Sequence, residues 1–336
     1  MTTVAELAQW VRKIFTCTQS QMLAFPHTFS CNLSTDMRNA SQGAVALLPL
    51  ILMAAIPALA APVVPDTVTW HEAIEYAVPD SAPLLLNMAA PREGAGPFPA
   101  VVCIHGGGFR AGKRESHDAL CVKLAERGYV AATVSYRLAP DHQFPAAVHD
   151  VKAAVRWLRA NAAKYRIDPT RIGALGTSAG GSLAQLLGVT ANEPRFEGDG
   201  GNADQPSDVA CVVNIYGAND FTKSYGRSKD AHVVLPLWFG GDLTTHRARH
   251  IEGSPLLWIT PAAAPTRCIH GTEDDHVALE QSQWLIERLE AAAVPADLVV
   301  LQGAGHGFKG ADADRAEQAI FEFLDARLQK NASKSK

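Results

Sequence analysis

Gly176-Thr177-Ser178-Ala179-Gly180 has the form G-x-S-x-G. The run before it, Arg171-Ile172-Gly173-Ala174-Leu175, reads as a strand, and the run after it, Gly181 to Leu187, reads as a helix. A serine between strand and helix, with glycines two places to either side, describes a nucleophile elbow. Small residues are needed because the turn is sharp and the strand and helix backbones come close together. The same turn aims a helix N-terminus at the serine oxygen. The five letters alone are weak, since the chain holds 26 glycines. Their meaning depends on a base, an acid and oxyanion donors standing elsewhere.

Outward from the elbow, strands and helices alternate. Val68 to Tyr76 and Leu84 to Met88 read as starting strands, and Ala100 to Ile104 as a buried strand apolar on both faces. Pro79 and the segment 91–99 read as turns. Helical spacing over Ser116 to Arg127 precedes a strand over Val130 to Ser135. Pro145 to Asn161 reads as a helix with Val148, Val151, Val155 and Leu158 on one face, and Ile172 to Gly176 as the elbow strand. Beyond the elbow helix, Cys211 to Tyr216, Thr266 to His270 and Asp297 to Leu301 read as strands. Leu279 to Ala293 and Arg315 to Leu328 read as helices. Such alternation predicts an α/β protein with a mostly parallel sheet covered on both faces. Two stretches interrupt it: a polar loop at 192–207, and an insertion at 217–265 carrying Phe221, Tyr225, Trp238, Phe239 and Trp258. Long insertions at strand ends often cover sites, and aromatic anchors equally serve packing.

A serine hydroxyl is a poor nucleophile until a base takes its proton. Among 12 histidines, His306 stands apart in Gly303-Ala304-Gly305-His306-Gly307-Phe308, just after the last strand. The base needs an acid to fix its tautomer. Gly271-Thr272-Glu273-Asp274-Asp275-His276-Val277 follows a strand and offers adjacent carboxylates, between which spacing does not choose. A metal site from His270, Asp274 and His276 lacks a matching distant ligand, and no metal is expected. The order serine, acid, histidine is that of the α/β-hydrolase fold, with each group at the carboxyl end of a strand. His105-Gly106-Gly107-Gly108-Phe109 follows the third strand and matches the H-G-G-G motif that accompanies the elbow. The amides of Gly107, Gly108 and Ala179 are the expected oxyanion donors, each typically worth about 10²–10³ in turnover.

From about residue 67 to 328 the chain resembles the α/β-hydrolase superfamily. It is most similar to the H-G-G-G esterases related to hormone-sensitive lipase, especially bacterial secreted acetylxylan and feruloyl esterase-like members. Matching stretches include Val134 to Pro140, Phe144 to Asp150, Ile167 to Ile172 and Gly253-Ser254-Pro255-Leu256. The resemblance implies an eight-stranded sheet with an insertion before the acid-bearing strand. It also implies a serine carboxylesterase with Ser178, Asp274 and His306 catalytic, and no cofactor. The family acid follows H-G-x-x and precedes x-x-V, which points to Asp274 rather than Asp275. Phe109 stands where relatives often carry tryptophan, and Thr177 where the elbow often carries a bulkier or charged residue. Phe109, Thr177 and Trp238 are the candidate pocket residues. Tyr136, Arg137, Asp150 and Asp168 read as structural. An amidase, a formamidase or a peptidase would use the same triad, whereas a non-catalytic binding module would need a broken one.

With 336 residues, 47% of them hydrophobic, the chain builds a sizeable core, and a net charge of -4 gives no basic patch for nucleic acid. Met37-Arg38 precedes an apolar run from Ala44 to Ile56 that ends in Pro57-Ala58-Leu59-Ala60-Ala61. A basic residue, a run of this length and an A-x-A ending describe a secretory signal over residues 37–60, with a buried helix or membrane anchor as the competing reading. Residues 1–36 are then an over-extended reading frame or a disordered extension, and residues 61–330 the catalytic domain. The expected location is secreted or periplasmic, with no stable membrane association after cleavage and a small-molecule or oligosaccharide ester as partner. Cys103, Cys121, Cys211 and Cys268 fall on apolar elements and read as buried thiols, although export permits a Cys211–Cys268 bond.

Overall fold

The computed structural model describes residues 61–191 and 193–329. The expected signal over 37–60 and the stretch before it lie outside the described residues. Eight strands form one sheet: β1 (Val68–Ala77), β2 (Leu84–Pro91), β3 (Phe98–Ile104), β4 (Val130–Val134), β5 (Ile167–Thr177), β6 (Val212–Ile215), β7 (Thr266–Gly271) and β8 (Ala296–Leu301). Their spatial order is β1-β2-β4-β3-β5-β6-β7-β8. β2 pairs antiparallel with β1 and β4, and every later pairing is parallel. The described helices are α1 (Asp118–Glu126), α2 (Ala146–Ala160), α3 (Ala162–Tyr165), α4 (Ala179–Val189), α5 (Ala231–Phe239), α6 (Arg247–Glu252), α7 (Glu280–Ala291) and α8 (Ala311–Leu328). Among the described residues no helix is long and apolar enough to cross a membrane.

The two layers follow from strand alternation, which sends successive side chains to opposite faces. Ala100, Val102 and Ile104 join Val148, Val151, Val155 and Leu158 of α2 and Leu183 of α4 on one face. Val101 and Cys103 join Cys121 and Leu124 of α1 and Ile320, Phe323 and Leu324 of α8 on the other. α7 packs Leu285 and Leu289 over Cys268 at the β7 end of the sheet. All four cysteines named above are buried free thiols, so there is no Cys211–Cys268 bond.

Several boundaries differ from the sequence expectation: β2 runs on to Pro91, and β3 begins at Phe98, within the segment read as turns. β5 begins at Ile167 rather than Ile172, because Ile167 pairs with Phe98 across an irregularity in the β3–β5 ladder. α8 begins at Ala311 rather than Arg315, and Asp312 and Asp314 occupy its first turn, where negative charge complements the helix dipole. The polar loop after α4 is tied down from α2. The Lys152 ammonium, fully buried, donates to Thr190 O (2.7 Å), Glu197 Oε1 (2.8 Å) and Ser207 Oγ (3.0 Å). The 217–265 insertion is itself structured, containing α5 and α6.

Candidate active site

Ser178 sits between β5 and α4 with φ 53° and ψ −122°, a conformation that costs most L-residues energy and is tolerated where the surroundings fix it. Its N–H donates to Ile215 O (2.9 Å) and its carbonyl accepts from Ser182 N (3.1 Å). The flanking glycines answer to close approach. A Cβ on Gly176 would collide with the Gly180 carbonyl, and one on Gly180 with the Ile104 carbonyl. The serine is thereby set on β3, β5 and β6 through backbone contacts rather than side chains.

His306, after β8, reaches back across the strand ends. Ser178 Oγ donates to His306 Nε2 (2.9 Å), and His306 Nδ1 donates to Asp274 Oδ2 (2.7 Å). The Asp274 side chain is fully buried, and its Oδ1 accepts from the amides of His276 (2.9 Å) and Val277 (2.8 Å). His270 Nε2 stands 3.4 Å from Oδ2. Burial by itself would raise this carboxyl's pKa. The hydrogen bonds from His270, His306 and Val277 outweigh it and hold the group well below the usual carboxylate range. The geometry also separates the two candidate acids. Asp275 is exposed and ion-paired with Lys229 (2.8 Å), which lowers its pKa. His270, weighed above as a metal ligand, spends Nδ1 on Ser282 Oγ (2.8 Å) and Nε2 on Val277 O (2.9 Å).

Gly107, Gly108 and Ala179 border the same cavity as Ser178. Gly107 has φ 119° and Gly108 φ 60°, in the region that favours glycine. Gly107 O accepts from the amides of Arg110 (3.2 Å) and Ala111 (3.0 Å), which closes the loop into a tight turn. His105 anchors the start of this loop. Its ring stacks on Tyr136 at 4.3 Å, and the Tyr136 hydroxyl donates to His105 O (3.0 Å). Arg137 and Asp150 form a partly buried ion pair (2.8 Å), and Asp168 accepts from Thr170 and Arg171. These contacts give Tyr136, Arg137, Asp150 and Asp168 a structural part.

The cavity measures about 450 Å³. Phe109 and Thr177 border it, as expected, but Trp238 does not. α5 presents Ala231, Val234 and Leu235 to the cavity and turns Trp238 inward, where it is fully buried. There it stacks on Phe109 at 3.6 Å with rings 2° from parallel, and packs against Phe144, Phe221 and Phe239. Trp238 backs the wall without touching the lumen. Of the further lining residues, two pack on the ring of His306. Tyr216 follows β6 with φ 43°, and its ring lies 4.7 Å from that of His306. Burial first, and the Asp274 charge second, push its hydroxyl up to about 12. His276 packs its ring 4.9 Å from His306 on another side. The strand-end rule covers Tyr216. For His276 the signal was its place two residues after Asp274.

A family profile described as BD-FAE matches residues 86–289. The chain belongs to the BD-FAE family. Among curated relatives it is similar to Esterase LipC of Mycobacterium tuberculosis, 33% identical over 236 residues, covering 68% of this chain and 58% of LipC. It is also similar to an ethyl acetate hydrolase of Pseudomonas putida, 30% identical over 241 residues, covering 68% and 73%. The matched segment thus spans little more than half the length of LipC. Among solved structures it is similar to a truncated carbohydrate esterase from gut microbiota, with TM-score 0.71, 26% identity and coverage of 80% of this chain and 100% of that one. Propionate-bound esterase 2 of Thermogutta terrifontis gives TM-score 0.65 at 26% identity, covering 76% and 93%. The BD-FAE chain therefore has the α/β-hydrolase fold, with the mostly parallel eight-stranded sheet seen here.

Proposed function

We propose that this protein is a serine carboxylic ester hydrolase acting through an acyl-enzyme. The continuous line from Ser178 Oγ to His306 to Asp274 carries the proposal. As Oγ attacks the ester carbonyl carbon, its proton passes to His306 Nε2. The amides of Gly107, Gly108 and Ala179 take the oxyanion. Collapse breaks the bond to the alcohol, which leaves with the proton from Nε2. Water then repeats the sequence on the acyl-enzyme, and the acid is released. Asp274 keeps the Nδ1 proton in place, so that Nε2 is free to accept. Esterase and ester hydrolase names among the relatives support the same reading.

The finer proposal is a short acyl or aryl group, acetyl or feruloyl, on a hemicellulose fragment met outside the cytoplasm. Its support is the sequence resemblance described above, the signal-like segment at 37–60, and the likeness to a carbohydrate esterase and to a bifunctional GH43-CE protein of Bacteroides eggerthii. Replacing Ser178 by alanine is expected to lower hydrolysis of p-nitrophenyl acetate by about 10⁶. Turnover at the wild-type rate would refute the assignment. Acetate and ferulate released side by side from xylan fragments test the substrate. Release of neither, with p-nitrophenyl acetate still cleaved, would overturn the hemicellulose reading alone.

A further inference from the structure

We infer that His276, oriented by Asp230, is a specificity-determining residue that engages a hydroxyl beside the ester oxygen of the leaving alcohol, so that the site favours esters of polyols over esters of simple alcohols. The inference rests on the serine-hydrolase reading. Asp230 comes from the 217–265 insertion, at the start of α5, whereas His276 comes from the loop that bears Asp274. Both border the cavity. The Asp230 carboxylate accepts at both oxygens, from Ser228 Oγ (3.0 Å) and from His276 Nδ1 (3.1 Å). An acceptor at Nδ1 fixes the ring proton there and leaves the Nε2 lone pair free to accept. Nε2 lies 3.9 Å from Asp275, beyond hydrogen-bond reach, and Asp275 is already engaged by Lys229.

Position assigns this group to the alcohol. The general acid must stand beside the oxygen that leaves, so whatever neighbours His306 on the cavity side faces the alcohol. The His276 ring is 4.9 Å from that of His306. One turn further along α5, where the Val234 amide donates to Asp230 O (3.0 Å), the wall turns apolar, with Val234 lying against Gly108 of the oxyanion loop, and it suits the acyl chain. Arg227 and Ser228 extend the polar wall next to Asp230. A site with a polar group oriented toward the alcohol discriminates against the analogue lacking a hydroxyl, because that group is then left unpaired.

The test compares kcat/KM for 2-hydroxyethyl acetate and for propyl acetate, which differ by a hydroxyl in place of a methyl. Wild type is expected to prefer the hydroxylated ester. His276→Phe is expected to lower the ratio of the two values by about three- to tenfold, the worth of one hydrogen bond. His276→Gln, which keeps a polar end, should recover part of it. Asp230→Ala, which frees the ring, should lower the ratio in the same direction and serves if the His276→Phe protein does not fold. A ratio unchanged in both His276→Phe and Asp230→Ala, or a wild type that prefers propyl acetate, overturns the inference. A wild type that cleaves p-nitrophenyl acetate but neither of these esters also overturns the inference, whereas one that cleaves none of the three overturns the hydrolase reading instead.

Discussion

Replacing Asp274 by asparagine separates the acid's electrostatic part from its packing. The new side chain must keep its carbonyl where Oδ1 now sits, since that atom accepts the amides of His276 (2.9 Å) and Val277 (2.8 Å). Its NH₂ group then replaces Oδ2, 2.7 Å from His306 Nδ1. A donor facing Nδ1 drives the ring proton to Nε2, where it blocks acceptance of the Ser178 proton. The same tautomer inversion in a Ser-His-Asp triad lowers kcat about 10⁴-fold. At 1.36 kcal/mol per decade that is about 5.4 kcal/mol of barrier. The NH₂ also faces His270 Nε2 at 3.4 Å, and two opposed donors cost about 1–3 kcal/mol of stability. The assay is kcat on p-nitrophenyl acetate, with thermal unfolding measured in parallel. A folded Asp274→Asn enzyme that keeps more than about a tenth of wild-type kcat would refute the tautomer argument. Acid adds a second reading. Asp274 titrates lower when folded than its ordinary 3.8, so its stabilisation is present above that pH and fades as pH falls below it. The stability gap between wild type and variant should therefore narrow below about pH 4.

Gly108→Ala places a Cβ 3.1 Å from Val234 Cγ1 on a backbone at φ 60°. Val234 must give by a few tenths of an ångström and borders the cavity, so the fold should survive with a loss of about 1–2 kcal/mol for the left-handed residue, while kcat falls about 10²-fold as the oxyanion donor shifts. Melting temperature and kcat measured together check both halves. His117 is buried with Nδ1 unpartnered, and burial, helped by the nearby His105, lowers its pKa from 6.5 to about 4. The unfolded chain then binds the proton first. Stability should fall by about 3 kcal/mol between pH 6.5 and 4, and denaturant titrations of His117→Leu should show a flatter acid limb.

The sheet was legible because its central strands are apolar on both faces and short, and helices with one apolar stripe separate them. Ser178, His306 and the Gly107-Gly108 loop were legible because each occupies a strand end within a glycine-marked turn. Asp274 and Asp275 are neighbours in sequence, and only the direction of each side chain divides them: one is buried against His306, the other salt-bridged to Lys229 at the surface. Trp238 shows the opposite limit. An aromatic residue in an insertion reads alike whether it lines a cavity or backs its wall, and the turn of α5 decides which. The starts of β5 and α8 were missed because polar residues interrupt them, Asp168, Thr170 and Arg171 in the one and Asp312 and Asp314 in the other. Ladder pairing and helix-dipole compensation hold them, and neither leaves an apolar period.

The elbow and the insertion have different freedom to change. Around Ser178 the clearances are set by main chain against main chain, at Gly176 against Gly180 and Gly180 against Ile104. Side-chain substitution cannot adjust such a contact, so the reacting centre resists tuning. Past Gly217, whose Cβ would meet the backbone of Gly181 and Ser182, the 217–265 excursion is freer, and through Ala231, Val234 and Leu235 it shapes one wall of the cavity. Its exchange between relatives would amount to fitting a new mould over a fixed die. Asp230 marks where the two parts are stitched together, because a graft that omits it leaves His276, on the other side of the seam, without its Nδ1 acceptor.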